Sequence, residues 1–422
     1  MINFRKFCLG LSMLAVLFFT AGLVTRSTAL WQPTAAIAIV GLAIGLGALP
    51  SLKGYQYTAW IIAAVVAALI YPAAFLKWGD LDLRNKWLVL GVIQLVMFGM
   101  GTQMSLHDFS GVMKTPRGVM VGLVCHFSIM PLVGFGLTRL FSFPPEIAAG
   151  VILIGSCSSG LASNVMAYIA RSNLVLSVTV TAITTLAAPF LTPFLMKIFA
   201  GTLVEVKFLN MMMEIIKIVI VPIAAALLHD WLKHASAEQR RRTFLLAAAG
   251  AVWLVLLPVG LWAWLAAGLG SQAQMSAELF SFGVGAVVFG VCYHLLASRF
   301  AAVDRLMPLA SMAGIVYFTT VTTAAGRDNL LKVGLLLFLV AVIHNAAGYF
   351  FGYWLSRLAG LDRSSARSVA FEVGLQNGGM ASGLAGAMGK LGTVGLAPAI
   401  FSPWMNISGS ILANYWSKRP PK

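Results

Sequence analysis

The stretch S-V-A-F-E-V-G-L-Q-N-G-G-M-A-S-G, residues 368–383, places one carboxylate and two adjacent amides inside an otherwise apolar run. Four glycines accompany them, and a glycine costs about 1 kcal/mol relative to alanine inside a helix. A regular helix is therefore unfavourable here. A broken helix suits the stretch, because freed backbone carbonyls and the side chains of Glu372, Gln376 and Asn377 can face a polar cavity. The stretch predicts an interrupted membrane helix centred on Glu372.

The composition of the whole chain supports a membrane location. Hydrophobic residues make up 59% of the 422 residues, charged residues only 10%, and the mean hydropathy is +0.89. A soluble protein carries about 25% charged residues. The net charge of +16 is scattered through apolar sequence, so we expect no nucleic-acid surface. The sequence has no HExxH, P-loop or GxSxG motif and no CxxC pair, which argues against an enzyme and against a cofactor.

Fourteen apolar runs are long enough to be considered as membrane spans. We predict an all-α polytopic protein of about 14 helices, with short polar or Pro/Gly-containing segments between them. The runs are 6–24, 33–49, 57–76, 87–104, 118–140, 146–168, 174–199, 211–231, 244–269, 277–298, 306–325, 330–356, 366–389 and 393–416.

The distribution of basic residues predicts the orientation. If the N-terminus is cytoplasmic and all runs cross, 18 Lys and Arg residues lie inside and 10 outside. Cytoplasmic loops carry an excess of Lys and Arg, so both termini are predicted to be cytoplasmic. The first run also fits a cleaved signal peptide, with Arg5 and Lys6 before it and Ser27-Thr28-Ala29 after it, although it is longer than a usual h-region.

A second polar stretch, G-S-C-S-S-G-L-A-S-N-V-M at 155–166, has the same character as the first. Two glycine-interrupted segments at corresponding positions of two halves indicate the binding site of an inverted-repeat transporter. Close helix packing through small residues is the alternative. The helix predicted at 174–199 presents Ser177 and Thr181 on one face, although such hydroxyls often bond their own helix. Together with Glu372 they suit a monovalent cation, because divalent ions usually recruit more carboxylates.

Several strings resemble the bile acid:sodium symporter family, in its bacterial and plastid branch. The resemblance covers roughly 57–235 and 303–418. The strings are M-F-G-M-G-T-Q-M-S-L-H-D-F (97–109), F-S-I-M-P (127–131), G-V-I-L-I-G-S-C-S-S-G-L-A-S-N-V-M-A-Y-I-A (150–170), N-L-V-L-S-V-T-V-T-A (173–182), V-I-H-N-A-A-G-Y (342–349), F-E-V-G-L-Q-N-G-G-M-A (371–381) and F-S-P-W-M-N-I-S-G-S (401–410).

The resemblance implies ten helices in two inverted five-helix repeats, with a core domain that moves against a panel domain and two broken helices that cross in the core. It implies a multi-pass protein of the bacterial inner membrane. The first repeat and the start of the second would occupy 57–235 (panel 57–104, core 118–199, panel 211–231). The rest would occupy 303–418 (panel 306–325, core 330–416). Residues 1–50 and 244–298 would then be additional helical segments.

The resemblance also implies two sodium sites. The first would use Ser163, Asn164, Ser177, Thr181 and Glu372. The second would use Glu372 and Gln376, backbone oxygens near Val373 and Leu375, and a side chain from the helix at 118–140. The family usually has glutamine at that last position, and this chain has His126. Because imidazole is a poorer sodium ligand than an amide and titrates near neutrality, we expect coupling to be either single-sodium or proton-assisted.

The function predicted from these observations is sodium-coupled symport of a small organic anion, either bile-acid-like or monocarboxylate- or pantoate-like, by alternating access. The substrate contacts are expected at Leu161, Asn377 and Asn406. One alternative is a metalloid efflux carrier of the arsenite type, in which Cys157 would act. Another is a membrane receptor or scaffold that has the same fold without transport.

Overall fold

The computed structural model describes residues 2–49, 52 and 56–419, and within them the protein is almost entirely helical. Lys53 and Lys422, two of the basic residues assigned to the cytoplasmic side, lie outside this range, as do the ends of the predicted segment 1–50. The α-helices are α1 (Ile2–Val24), α2 (Thr28–Gly45), α3 (Gln56–Ile70), α4 (Lys86–Gly101), α5 (Gly111–Lys114), α6 (Pro116–Leu140), α7 (Pro145–Ser156), α8 (Ala162–Ile169), α9 (Leu174–Ala200), α10 (Phe208–Ile215), α11 (Val221–His234), α12 (Ala237–Leu256), α13 (Trp262–Gly268), α14 (Ser271–Arg299), α15 (Ala302–Ala325), α16 (Arg327–Leu358), α17 (Arg363–Gly374), α18 (Gly378–Ala387) and α19 (Leu396–Ser417).

Shorter elements join or interrupt these helices. Two strands, β1 (Lys77–Trp78) and β2 (Leu81–Asp82), form a small antiparallel hairpin between α3 and α4. The 3₁₀ turns are Leu46–Ala48, Pro72–Phe75 and Leu106–Ser110. Two π-helical turns join α10 to α11 at Ile216–Ile220 and α12 to α13 at Leu257–Leu261.

Each of the fourteen predicted runs is helical, so the all-α prediction is confirmed. Among the described residues, nine helices are long and apolar enough to cross a membrane by themselves. The runs at 57–76, 87–104, 146–168 and 366–389 fall short because their helices are shorter or broken, and the continuous helix Leu396–Ser417 is long enough but does not meet the requirement for apolar composition. The helix expected at 57–76 ends at Ile70, just before Pro72, which cannot donate a helical hydrogen bond. The runs at 146–168 and 366–389 are each divided into two short helices.

One layer of the protein is a row of neighbouring helices. The order of contact along the row is α1, α2, α3, α15, α4, α11, α14 and α12. The helices from 1–50 therefore extend one edge of the row, and those from 244–298 extend the other. Their outer faces are apolar and exposed, as expected where lipid covers a helix.

The second layer contains both broken helices. α17 packs against α6, α8, α9 and α16, while α7 packs against α6, α9 and α19. Buried apolar side chains fill this layer, including Ile152, Phe371 and Phe401. α18 leaves the bundle to contact α4, so this half-helix bridges the two layers. The breaks therefore lie in the bundle, with one half-helix against the row.

Candidate ion and substrate site

The two broken helices meet at their breaks. Residues 157–161 separate α7 from α8, and residues 375–377 separate α17 from α18. Ser159 and Gln376 form an antiparallel bridge, in which the Gly160 N–H donates to the Leu375 carbonyl (2.9 Å) and the Asn377 N–H donates to the Ser158 carbonyl (2.8 Å). Backbone groups that each break releases are thus satisfied by the other break.

The close approach of the breaks requires a glycine at position 160. A Cβ atom there would lie 2.7 Å from the Gln376 carbonyl oxygen, which belongs to rigid backbone. The predicted role of glycine in breaking the helix is therefore joined by a second role, since only glycine leaves room for the facing chain.

Glu372 is fully buried in the last turns of α17 and receives hydrogen bonds from α9. Ser177 Oγ donates to Glu372 Oε1 (2.5 Å), and Thr181 Oγ1 donates to Glu372 Oε2 (2.8 Å). Because Ser177 and Thr181 are four residues apart in a helix, both hydroxyls face the same carboxylate. The alternative in which these hydroxyls only bond their own helix is wrong for both residues.

α8 contributes the remaining oxygens of this cluster. Asn164 Oδ1 lies 2.9 Å from Ser177 Oγ and 3.2 Å from Thr181 Oγ1. Ser163 Oγ lies 3.3 Å from Thr181 Oγ1. The five residues assigned to the first sodium site therefore form one cluster, in which the only formal charge is the carboxylate of Glu372. No ion pair to Glu372 occurs among the residues that the structure describes.

His126 lies on the other side of the Glu372 backbone, and its ring is fully buried. Its Nδ1 is 2.9 Å from the Glu372 carbonyl oxygen, and its Nε2 is 2.8 Å from the Cys157 carbonyl oxygen. The ring thus bridges the C-terminal ends of the two half-helices α7 and α17. Both ring nitrogens already face backbone oxygens, so neither is directed at an open coordination position.

All but one of the other polar groups assigned to the second site also have partners within the protein. Gln376 Nε2 donates to the Val373 carbonyl (2.7 Å). The Leu375 carbonyl accepts from Gly160 N–H and from Ser159 Oγ (3.3 Å). Gln376 Oε1 is buried without a hydrogen-bond partner. The structure therefore brings all these residues to the crossing, but the His126 imidazole lies between the C-terminal ends of α7 and α17.

The predicted substrate contacts lie around the same crossing. Leu161 precedes α8 and is half-buried, and Asn377 caps α18, because its Oδ1 accepts from the Met380 N–H (2.9 Å). Asn377 Nδ2 is buried without a partner. Asn406 lies in α19, half-buried and next to Met405, whose sulfur accepts from the Gln376 N–H (3.2 Å). One unpaired donor and two helix N-termini, those of α8 and α18, are thus associated with the breaks.

This chain has sequence relatives among sodium-dependent transporters. The uncharacterised sodium-dependent transporter YocS of Bacillus subtilis is 32% identical over 370 residues, which covers 87% of this chain and 93% of YocS. The profile of the sodium bile acid symporter family matches residues 90–267. The chain belongs to this family.

Other family members are more distant. The probable sodium/metabolite cotransporter BASS1 of Arabidopsis thaliana is 26% identical over 86% of this chain and 73% of its own length. The human ileal sodium/bile acid cotransporter is 28% identical over 68% of this chain and 65% of its own length. Among solved structures, the sodium proton antiporter MjNhaP1 of Methanocaldococcus jannaschii matches with a TM-score of 0.50 at 15% identity, covering 92% of this chain and 99% of that one. The last match shows the fold alone.

Some polar residues at the crossing were missed by the sequence analysis. Asn345 Nδ2 donates to the Gly374 carbonyl at the end of α17 (2.7 Å), and Ser408 Oγ donates to Asn345 Oδ1 (2.5 Å). Thr192 Oγ1 donates to the Ser156 carbonyl at the end of α7 (2.7 Å). A signal for Asn345 existed, since a buried amide within an apolar run needs a partner.

Proposed function

We propose that this protein is a secondary active transporter that couples sodium to the symport of a small organic anion. The observation that carries the proposal is the cluster around Glu372. A buried carboxylate without a cationic partner is costly, and this one is surrounded by hydroxyl and amide oxygens that can turn their lone pairs toward an ion. Five oxygen-bearing side chains with one formal charge fit a monovalent cation better than a divalent one.

The anion site is proposed at the N-termini of α8 and α18. Helix N-termini present partial positive charge and free N–H groups. The unpaired Asn377 Nδ2 adds a buried donor at the same place, and a carboxylate of the substrate would satisfy it. Leu161 would supply an apolar contact, and Asn406 a second amide. Small organic anions are therefore the proposed substrate class.

We further propose that the row of helices is the panel and the bundle is the core that moves against it, with both termini in the cytoplasm. Sodium at Glu372 joins α8, α9 and α17. It would therefore stabilise the relative positions of the half-helices whose N-termini receive the anion, and this couples ion binding to substrate binding.

The metalloid alternative receives no support from the geometry of Cys157. Its side chain is fully buried, and its carbonyl faces His126. An exposed thiolate is the form of cysteine that binds soft ions. Cys157 therefore has a packing role in this proposal.

The proposal is tested by uptake into vesicles that contain the purified protein. A panel of labelled carboxylates is offered with an inward gradient of sodium or of potassium. We expect at least one carboxylate to accumulate only with sodium, and Glu372→Ala to abolish that accumulation. Glu238→Gln is the control, because Glu238 pairs with Arg242 on an exposed surface. Sodium-driven accumulation that persists in Glu372→Ala would refute the site, and a lack of any solute exchange would favour a receptor.

We propose that sodium binds at the first site only. In the second site the imidazole of His126 lies between the Glu372 and Cys157 carbonyls, where the family's glutamine would offer an oxygen. Both ring nitrogens face these carbonyls at hydrogen-bond distance. The ring therefore occupies the position of an ion that would join the ends of the half-helices α7 and α17. The proposal is that one sodium, rather than two, accompanies each substrate.

Counting bound sodium tests this step without knowledge of the substrate. We expect purified protein to bind one radioactive sodium per chain, and His126→Gln to bind two. Two sodium ions in the wild type would overturn the single-site proposal but leave sodium coupling intact. No bound sodium at all would overturn both.

A further inference from the structure

A large cavity lies away from the crossing, between α4 and α11 of the row and the added helices α12 and α14 that extend it. Its volume is about 1340 Å³, which exceeds the roughly 300–1,000 Å³ of a typical small-molecule site. α4, α10, α11, α12 and α14 line one part of it, and Gly383 and Gly386 of α18 line another. Most of the lining is apolar, including Phe282 and Phe289.

The cavity nevertheless contains a charged triad within the apolar runs. Lys217 Nζ lies 2.6 Å from Glu214 Oε1 and 3.0 Å from Glu278 Oε1. Glu278 comes from the added helix α14, whereas Glu214 lies in α10 and Lys217 in the π-helical turn that joins α10 to α11. Two carboxylates thus share one ammonium, which leaves one negative charge uncompensated in a largely apolar environment. A cation in the cavity would balance this charge.

All three residues line the cavity, but the carboxylates are more exposed than the lysine. The side chains of Glu214 and Glu278 are 35% and 43% exposed, and that of Lys217 is 13% exposed. A further basic group, Lys86 at the start of α4, also lines the cavity. A ligand with both an ammonium and an anionic group therefore matches the arrangement.

Irregular backbone at the same walls is an independent sign of a site. The π-helical turn Ile216–Ile220 contains Lys217, and the turn Leu257–Leu261 contains Gly260 with φ 124°. Lys217, Pro258 and Gly260 all line the cavity. π-bulges occur frequently at functional sites, because they direct side chains and release backbone groups. Both π-helical turns therefore face the same cavity.

We propose that this cavity binds a phospholipid whose headgroup carries a primary amine, of the phosphatidylethanolamine type. The ammonium would donate to Glu278 and Glu214, the phosphate would lie toward Lys86, and the acyl chains would occupy the apolar part. A primary ammonium donates hydrogen bonds to carboxylates, whereas a quaternary ammonium has no N–H. The bound lipid would contact both the row and α18 of the broken helix. This inference is independent of the sodium and substrate sites.

The test compares the purified full chain in vesicles of phosphatidylcholine alone with vesicles that also contain phosphatidylethanolamine or phosphatidylglycerol. A short-chain alkylamine in phosphatidylcholine is a fourth condition. The readouts are lipid retained in native mass spectrometry and the melting temperature. We expect phosphatidylethanolamine to be retained selectively and to raise the melting temperature by a few degrees. Glu278→Gln should lose both effects, and Glu238→Gln should keep them.

A second pair of variants leaves the charges unchanged. Gly285→Leu adds a side chain into the cavity, where a Cβ meets no atom within 4 Å. Gly283→Leu on the same helix also meets open space but does not line this cavity. We expect only the former to abolish selective retention. Equal retention of all lipids by the wild type would overturn the proposal, as would an effect of the alkylamine alone or identical behaviour of the two glycine variants.

Discussion

The two breaks at the crossing have the same construction but different chemistry. At the end of α7 the Cys157 carbonyl meets His126 from α6, and at the end of α17 the Gly374 carbonyl meets Asn345 from α16. In each half, therefore, a buried polar side chain of a neighbouring helix contacts the C-terminal end of the half-helix. These carbonyls would otherwise be unsatisfied in an apolar layer, where each costs several kcal/mol.

The difference between the breaks lies in their charge. The second break carries Glu372, Gln376 and Asn377, whereas the first carries hydroxyls and one amide but no formal charge. The Glu372 carboxylate is thus surrounded by side-chain oxygens of α8 and α9. An ion at the proposed site would hold the two breaks together, because neither break alone supplies all of the proposed ligands. A single buried acid would then be sufficient for the proposed site, which draws ligands from both breaks.

The largest effect is expected where the breaks touch. Gly160→Ala places a Cβ 2.7 Å from the Gln376 carbonyl, and overpacking of this kind costs about 1–3 kcal/mol. We expect a lower melting temperature and loss of sodium binding, because α8 is displaced from Glu372. Gly136→Ala is the control, since its Cβ meets nothing within 4 Å. Wild-type sodium affinity in Gly160→Ala would show that the breaks can separate without affecting the ion site.

An intermediate effect is expected at the end of α17. Asn345→Ala leaves the buried Gly374 carbonyl without its side-chain partner, which costs about 1–3 kcal/mol. We expect a lower melting temperature with sodium affinity reduced less than in Gly160→Ala. Asn414→Ala on the exposed side of α19 removes a bond to the Ser410 carbonyl of its own helix and serves as the control. Equal melting temperatures for the two variants would contradict this role of Asn345.

Sequence reasoning found the breaks because each violates a local rule: glycines and polar residues interrupt an apolar run. The residues around Glu372 were found through the same signal and through the family resemblance. The bridging position of His126 was not predictable, because the carbonyls it meets are 31 and 246 positions away along the chain. The same applies to the Lys217–Glu278 pair, since no local pattern indicates where an added helix will pack.

The smallest effect is expected from a single hydroxyl of the sodium site. Ser177→Ala removes the 2.5 Å hydrogen bond to Glu372 but leaves Thr181 and Asn164 in place. A hydrogen bond to a charged group contributes about 1.5–3 kcal/mol, and each 1.4 kcal/mol changes affinity tenfold. We expect sodium affinity to fall about 10- to 100-fold while uptake remains sodium-dependent at high concentration. Thr185→Val tests whether the effect depends on position, because the Thr185 hydroxyl bonds the Thr181 carbonyl of its own helix. If both variants lower the affinity equally, the loss reflects a general change in α9. The Ser177 hydroxyl would then not be a sodium ligand beside the Glu372 carboxylate.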